Sequence, residues 1–182
     1  MFAASVQANP SLSTDDMDKF LADKGLLAKI EKVRQSVSER ASELVFTAMG
    51  FLGVPYRRGG STVESGFDCS GFVRAIYQET VGLILPRKAE QQAAATEKIE
   101  RSDLKPGDLV FFNTMRRAFS HVGIYVGEGK FIHSPKPGGE VRVEDMGISY
   151  WSRRFDGARR VPTAAPESPA PQTLQSIEPA VR

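Results

Sequence analysis

The chain holds a single cysteine and two histidines in 182 residues. One cysteine excludes an internal disulfide, so stability comes from packing, and the thiol is left as either a small buried hydrophobe or a reagent. No apolar run is long enough to cross a bilayer. The longest, residues 44–55 (LVFTAMGFLGVP), closes on a proline with two arginines soon after and reads as a core helix. There is no dense Lys/Arg tract and no basic patch interleaved with aromatics, and the net charge is only +2, which argues against nucleic acid as a partner. CxxC and HxxxH pairs are missing too. One thiol and two imidazoles leave a tetrahedral zinc site short of a ligand, so no metal is expected. The amino terminus lacks the basic and long apolar regions of a secretory signal, although FAASVQA has the small-residue V-x-A pattern that precedes signal cleavage. The reading is a trimmed signal or a start placed too late.

What is present is the composition of one globular domain with tails: 41% hydrophobic and 25% charged residues can bury a core. Residues 1–14 are Ser/Ala/Asn/Pro-rich and expected to be disordered. Thr14 is a cap for an amphipathic helix in which Phe20, Leu21, Leu27, Ile30, Val33 and Val37 recur at helical spacing, so residues 15–37 read as an accessory arm. A second helix follows over 38–52, with Ala41, Leu44, Val45, Ala48 and Met49 on one face, and Gly53 and Pro55 end it. The main domain spans 38–161. Residues 162–182, rich in Pro, Ala and Ser, read as a flexible tail. No internal repeat is visible.

The lone thiol stands in FDCSGFV. Cys69, Phe72, Val73, Ile76 and Tyr77 share one helical face, which puts Cys69 in the first turn of a helix. Unpaired backbone N–H groups there lower a thiol's pKa. Beyond LPRKAEQQAAA, a loop and short helix, the period becomes strand-like at 108–112, 121–127, 130–134, 140–144 and 155–161. PGD and GEG are turns, and the second makes HVGIYVGEGKFIHS a hairpin. Helices precede strands, so an α+β fold with an antiparallel sheet is predicted.

On HVGIYVG, alternation sends Val122, Ile124 and Val126 to the core and His121, Gly123, Tyr125 and Gly127 to the other face. Gly123 then leaves room for the cysteine's helix to approach. A hairpin turning at Glu128 and Gly129 brings His133 beside His121. Either histidine alone is more often structural. Together with the thiol they supply a nucleophile, a base and an orienting third group.

DCSGFV, then LPR with a downstream QQ, LKPGDLVFF, SHVGIYVG and FIHSP, spread over residues 53–161, resemble the NlpC-type murein peptidases, a papain-like family of cysteine peptidases. The resemblance implies a papain-like fold, with N-terminal helices packed on a central antiparallel sheet and the catalytic cysteine at a helix N-terminus. It implies Cys69 as nucleophile, His121 as general base and His133 as its orienter. Tyr56 of PYRRGG would stabilise the oxyanion with the backbone N–H of Cys69. Asp68, Ser70 and Arg87 would recognise the substrate's polar end, while helix capping by Asp68 and Ser70 and a plain surface charge at Arg87 stay open. Arg58 stands where relatives often have an aromatic residue, which alters the pocket wall.

The implied activity is hydrolysis of D-glutamyl–diaminopimelate or D-alanyl–diaminopimelate bonds in the stem peptides or cross-links of bacterial peptidoglycan, in the periplasm or cell envelope, during wall growth or remodelling. No cofactor is implied. An amidase or acyl transferase on another substrate and a non-catalytic wall-binding adaptor are the alternatives. Residues 15–37 are left to cover the groove, dock a regulatory protein or simply pack, and a monomer is expected.

Overall fold

A computed structural model of the chain describes residues 26–162. The readings of residues 1–14, of a helix opening at Thr14 and of the tail over 163–182 lie outside the described residues. The first described element, α1 (Leu26–Met49), is one helix of 24 residues. It runs through position 37/38, where two separate helices are expected from the sequence. SVSER at the supposed junction contains neither glycine nor proline, and serine alone does not stop a helix. Its Ser42 hydroxyl instead bonds back to the Ser38 carbonyl at 2.9 Å, within the helix. Leu44 and Ala48, four residues apart, are the buried stripe of α1, while Phe46 between them is 82% exposed. No helix among the described residues is long and apolar enough to cross a membrane.

After a two-stranded ribbon, β1 (Ser61–Thr62) and β2 (Gly66–Phe67), come α2 (Cys69–Val81) and α3 (Ala89–Ala94). The main sheet is built from β3 (Glu97–Ile99), β4 (Leu109–Phe112), β5 (His121–Gly127), β6 (Lys130–His133), β7 (Arg142–Asp145) and β8 (Phe155–Arg160), with the single turn α4 (Ser149–Ser152) before β8. Its order is β3-β8-β4-β5-β6-β7, antiparallel throughout, which is the predicted α+β class. The ribbon, β3 and α4 were absent from the sequence reading because two to four residues are too few to show a period.

Alternation along the strands separates two cores. Leu109, Phe111, Val122, Ile124 and Ile132 face the helices and meet Phe72, Val73 and Ile76 of α2 and Leu44 and Ala48 of α1. Val110, Phe112 and Phe131 point the other way and are covered by Met146 and Trp151. The face carrying His121 is therefore apolar as well, which departs from the expected division into core and open sides. Gly123 also serves a different neighbour from the one expected. A Cβ there would strike the Phe131 ring and the Ile132 carbonyl and lie 3.1 Å from the Cβ of His133, so the glycine makes room for β6 and not for α2.

Side-chain hydrogen bonds tie the turns to the core. Asp108 of the PGD turn accepts from Lys105 N–H at 2.7 Å and from the Arg160 guanidinium at 2.9 and 2.7 Å, and the Tyr77 hydroxyl of α2 donates to the Gly107 carbonyl. The loop before α2 is seated more tightly still. The Gly60 carbonyl accepts from Asp68 N–H at 3.2 Å and lies against Gly71, where any Cβ would collide with it. Gly71→Ala should therefore cost roughly 1–3 kcal/mol through overpacking, a drop of several degrees in Tm. Thermal denaturation checks this, and an unchanged Tm would mean that the loop does not rest on the helix.

Candidate active site

The site begins at the N-terminus of α2. Asp68 is its N-cap: Oδ1 accepts from the Gly71 N–H at 2.8 Å, satisfying one of the helix's free donors. The same carboxylate is gripped by Arg87, NH1 to Oδ1 at 2.9 Å and NH2 to Oδ2 at 2.6 Å, and Oδ2 accepts from Gly59 N–H at 2.9 Å. Arg87 NH1 also reaches the Ser70 hydroxyl at 3.0 Å. The bidentate pair raises the Arg87 pKa further above its ordinary value. Capping and charge pairing thus coexist in one carboxylate, and Arg87 is not a free surface charge. Gln92, the second glutamine of QQ, is fully buried and donates to the carbonyls of Ser70 and Pro86 at 3.0 and 2.9 Å, holding the arginine's loop against the helix.

Cys69 is half-buried and lines a cleft of about 500 Å³ together with Tyr56, Ser120, His121, Glu144 and Trp151. The cleft brings together Cys69, His121 and Tyr56 of the residues singled out from the sequence. Asp68, Ser70 and Arg87 form their own cluster beside Cys69 and are not among the residues lining that cleft.

His121 opens β5 and His133 closes β6. Their rings meet edge to face, with His121 Nε2 and His133 Nδ1 2.7 Å apart. His133 Nε2 lies 2.6 Å from Glu144 Oε2, and the other oxygen of Glu144 accepts from Arg142 NH2 at 3.1 Å. Only one ring nitrogen of the pair, His121 Nδ1, is left outside this chain of bonds. The Trp151 ring stacks on His121 at 5.5 Å between centroids with 27° between planes, fixing the imidazole's orientation. Ser120 holds the preceding loop: its hydroxyl accepts from the N–H groups of Thr114 and Met115 at 2.9 and 3.3 Å. Glu144, Trp151 and Ser120 were not singled out from the sequence, though SHVGIY contains the serine and the chain has one tryptophan.

Burial governs the protonation states. It pushes the Cys69 thiol up to about 11, with the Asp68 charge adding to the rise and hydrogen bonds from the backbone of Val122 and Ser70 opposing it. This overturns the lowered thiol pKa expected from a helix N-terminus: desolvation outweighs the unpaired N–H groups. Burial, and then the neighbouring His133, drives His121 well below the ordinary histidine value of 6.5. His133 is also lowered by burial, which outweighs the opposing pull of Glu144. The His133 hydrogen bond holds Glu144 below its usual range. Burial raises Tyr56, with the charges of Cys69 and Asp68 contributing, so its hydroxyl keeps its proton. At neutral pH the site therefore rests as a thiol beside two neutral imidazoles, with a charged carboxylate behind them.

The NlpC/P60 family pattern matches residues 53–160. Over 145 residues the chain is 43% identical to murein DD-endopeptidase MepH of Escherichia coli, covering 78% of this chain and 53% of that protein. It is 44% identical over 118 residues to a gamma-DL-glutamyl hydrolase of Bacillus subtilis, covering 64% of this chain and 28% of that one. The chain thus spans about half, or less, of the length of these relatives. Among solved structures, a lipoprotein-like NLP/P60 family protein from Staphylococcus aureus superposes with a TM-score of 0.61 at 33% identity, over 68% of this chain and 41% of that one. With the pattern spanning more than half of its length, the chain belongs to the NlpC/P60 family.

Proposed function

We propose that this chain is a cysteine-type murein endopeptidase that hydrolyses an amide bond in the stem peptides or cross-links of bacterial peptidoglycan. The observation that carries the reading is the buried 2.7 Å bond between His121 Nε2 and His133 Nδ1 behind a cleft that His121 shares with Cys69, since it leaves His121 Nδ1 as the nitrogen for the thiol proton. The names of two relatives support the substrate class. One is named a murein DD-endopeptidase, which points to peptidoglycan, and the other a gamma-DL-glutamyl hydrolase, so a glutamyl bond stands as a target beside a DD-bond. Such a substrate places the enzyme in the periplasm or cell envelope.

In this reading His121 takes the Cys69 proton as the sulfur attacks the scissile carbonyl carbon. The backbone N–H of Cys69 and the hydroxyl of Tyr56 receive the oxyanion. The tetrahedral adduct collapses, the C–N bond breaks, and the His121 imidazolium gives its proton to the leaving amine. A water then loses a proton to His121 and attacks the thioester, which releases a carboxylic acid and returns the thiol. Because thiol and imidazole rest neutral, proton transfer accompanies attack instead of preceding it. Asp68, Ser70 and Arg87 offer an acceptor and donors to the polar end of the acyl group.

Cys69→Ala should abolish release of soluble fragments from purified sacculi, and His121→Ala should lower it by roughly 10²–10⁴-fold, with Tm retained in the cysteine variant. Full activity in either sinks the mechanism, and mass analysis of the fragments identifies the bond. The protonation states give a second expectation. Alkylation of Cys69 by iodoacetamide in the free enzyme should keep accelerating with pH toward about 11. A rate that levels off below pH 7 would instead reveal a preformed thiolate–imidazolium pair.

A further inference from the structure

Glu144 has no part in the mechanism above, yet its carboxylate is the end of a continuous line of hydrogen bonds that starts at the catalytic imidazole. The register explains how it arrives there. His133 pairs with Arg142 and Phe131 with Glu144 across β6 and β7, so both β7 side chains emerge on the histidine face of the sheet. Glu144 Oε2 meets His133 Nε2 at 2.6 Å, while Arg142 holds Oε1 at 3.1 Å and stops the carboxylate from rotating away. Arg142 and Glu144 both reach the cleft wall.

We propose that Glu144 is a positioning residue whose carboxylate fixes the proton of His133 on Nε2 and thereby fixes the tautomer of the catalytic His121. The argument is one of donor and acceptor counting. A carboxylate only accepts, so the 2.6 Å contact requires the His133 proton on Nε2. His133 Nδ1 is then a lone pair, and the 2.7 Å contact to it requires the His121 proton on Nε2. His121 Nδ1 is thereby a lone pair also, the form that can accept a proton from a thiol. With the opposite tautomer His121 would present an N–H to Cys69 and could not act as its base. The same carboxylate stabilises the His121 imidazolium formed during attack, through the polarised ring between them. His133 is fully buried, so no water replaces the carboxylate as acceptor without rearrangement.

The charged and titratable groups around the pair are Cys69 from α2, Arg142 and Glu144 from β7, and Tyr56, Lys136 and Tyr150 on the cleft wall. Of these, Glu144 is the carboxylate bonded to the rings, and it raises proton affinity at His133. Removing its charge lowers proton affinity in the pair, so the acidic limb of the activity profile should move to lower pH.

This inference rests on the catalytic reading above, and its test separates the two. The chain has only two histidines, so the full-length, untagged protein labelled with ¹⁵N-histidine reports both rings without overlap. In the wild type at pH 7 both rings should be neutral with the proton on Nε2. Glu144→Ala should turn His133 into a mixture of tautomers and reduce kcat on sacculi roughly tenfold or more with little change in KM. Glu144→Gln keeps an amide oxygen for the Nε2–H, so it should restore the tautomer and much of kcat, with the acidic limb at lower pH. Unchanged imidazole spectra in Glu144→Ala overturn the proposal. So does equal impairment of both variants with an equal fall in Tm and no movement of the pH profile, the mark of a mere brace for β7. Failure of the wild type to release murein fragments defeats the proposed function, while the nitrogen spectra still decide on the tautomer.

Discussion

The register of a single hairpin decides whether the two histidine rings meet. β5 and β6 are joined by a two-residue turn in which Glu128 and Gly129 both take positive φ, 52° and 72°. The turn pairs Gly127 with Lys130, and a bulge between Tyr125 and Gly127 shifts the register by one residue so that Ile124 pairs with Ile132, which leaves His121 and His133 on the same face. A slip of one residue would send His133 into the helical core and the hydrogen bond between the rings would vanish. α2 approaches from the opposite face, packing Phe72, Val73 and Ile76 against Val122 and Ile124. Cys69 therefore meets the strand at the backbone of Val122, one residue along from His121.

A second layer of organisation is electrostatic. Burying two imidazoles and a thiol penalises every charged form, so charge is kept to the periphery: Glu144 with Arg142 behind the histidines, and Asp68 with Arg87 beside the cysteine. Each carboxylate has an arginine partner and further hydrogen bonds, which is the condition for holding a partly buried charge.

Much of this was legible from the amino-acid order. The i, i+3, i+4, i+7 and i+8 spacing from Cys69 located α2, alternation located β4 through β6, and two glycines with one glutamate located the hairpin. The family resemblance then named roles for the cysteine and histidines. What escaped has physical reasons. Two helices meeting at 37/38 were expected, yet SVSER holds neither glycine nor proline and α1 runs straight through it. Gly123 was matched to the wrong neighbour because alternation gives a face and not what lies across it. Glu144 was read only as the end of a strand over 140–144, since pairing between β6 and β7 spans a loop with no turn signature strong enough to set register from sequence. The thiol's pKa was misjudged because helix position is local and visible, whereas desolvation is a property of the whole packed shell.

The packing around the half-buried Cys69 has a consequence for the chemical survival of the thiol. Peroxides and disulfide-exchange reagents attack the thiolate, and the burial that pushes this thiol up to about 11 disfavours that form. An oxidising compartment would steadily convert an exposed, acidic thiol to sulfenic acid, and this chain has no second cysteine to resolve that lesion as an internal disulfide. Keeping the sulfur protonated shields it chemically without any covalent cap. The same packed shell that disfavours its ionisation thus also protects the chain's sole thiol from oxidation.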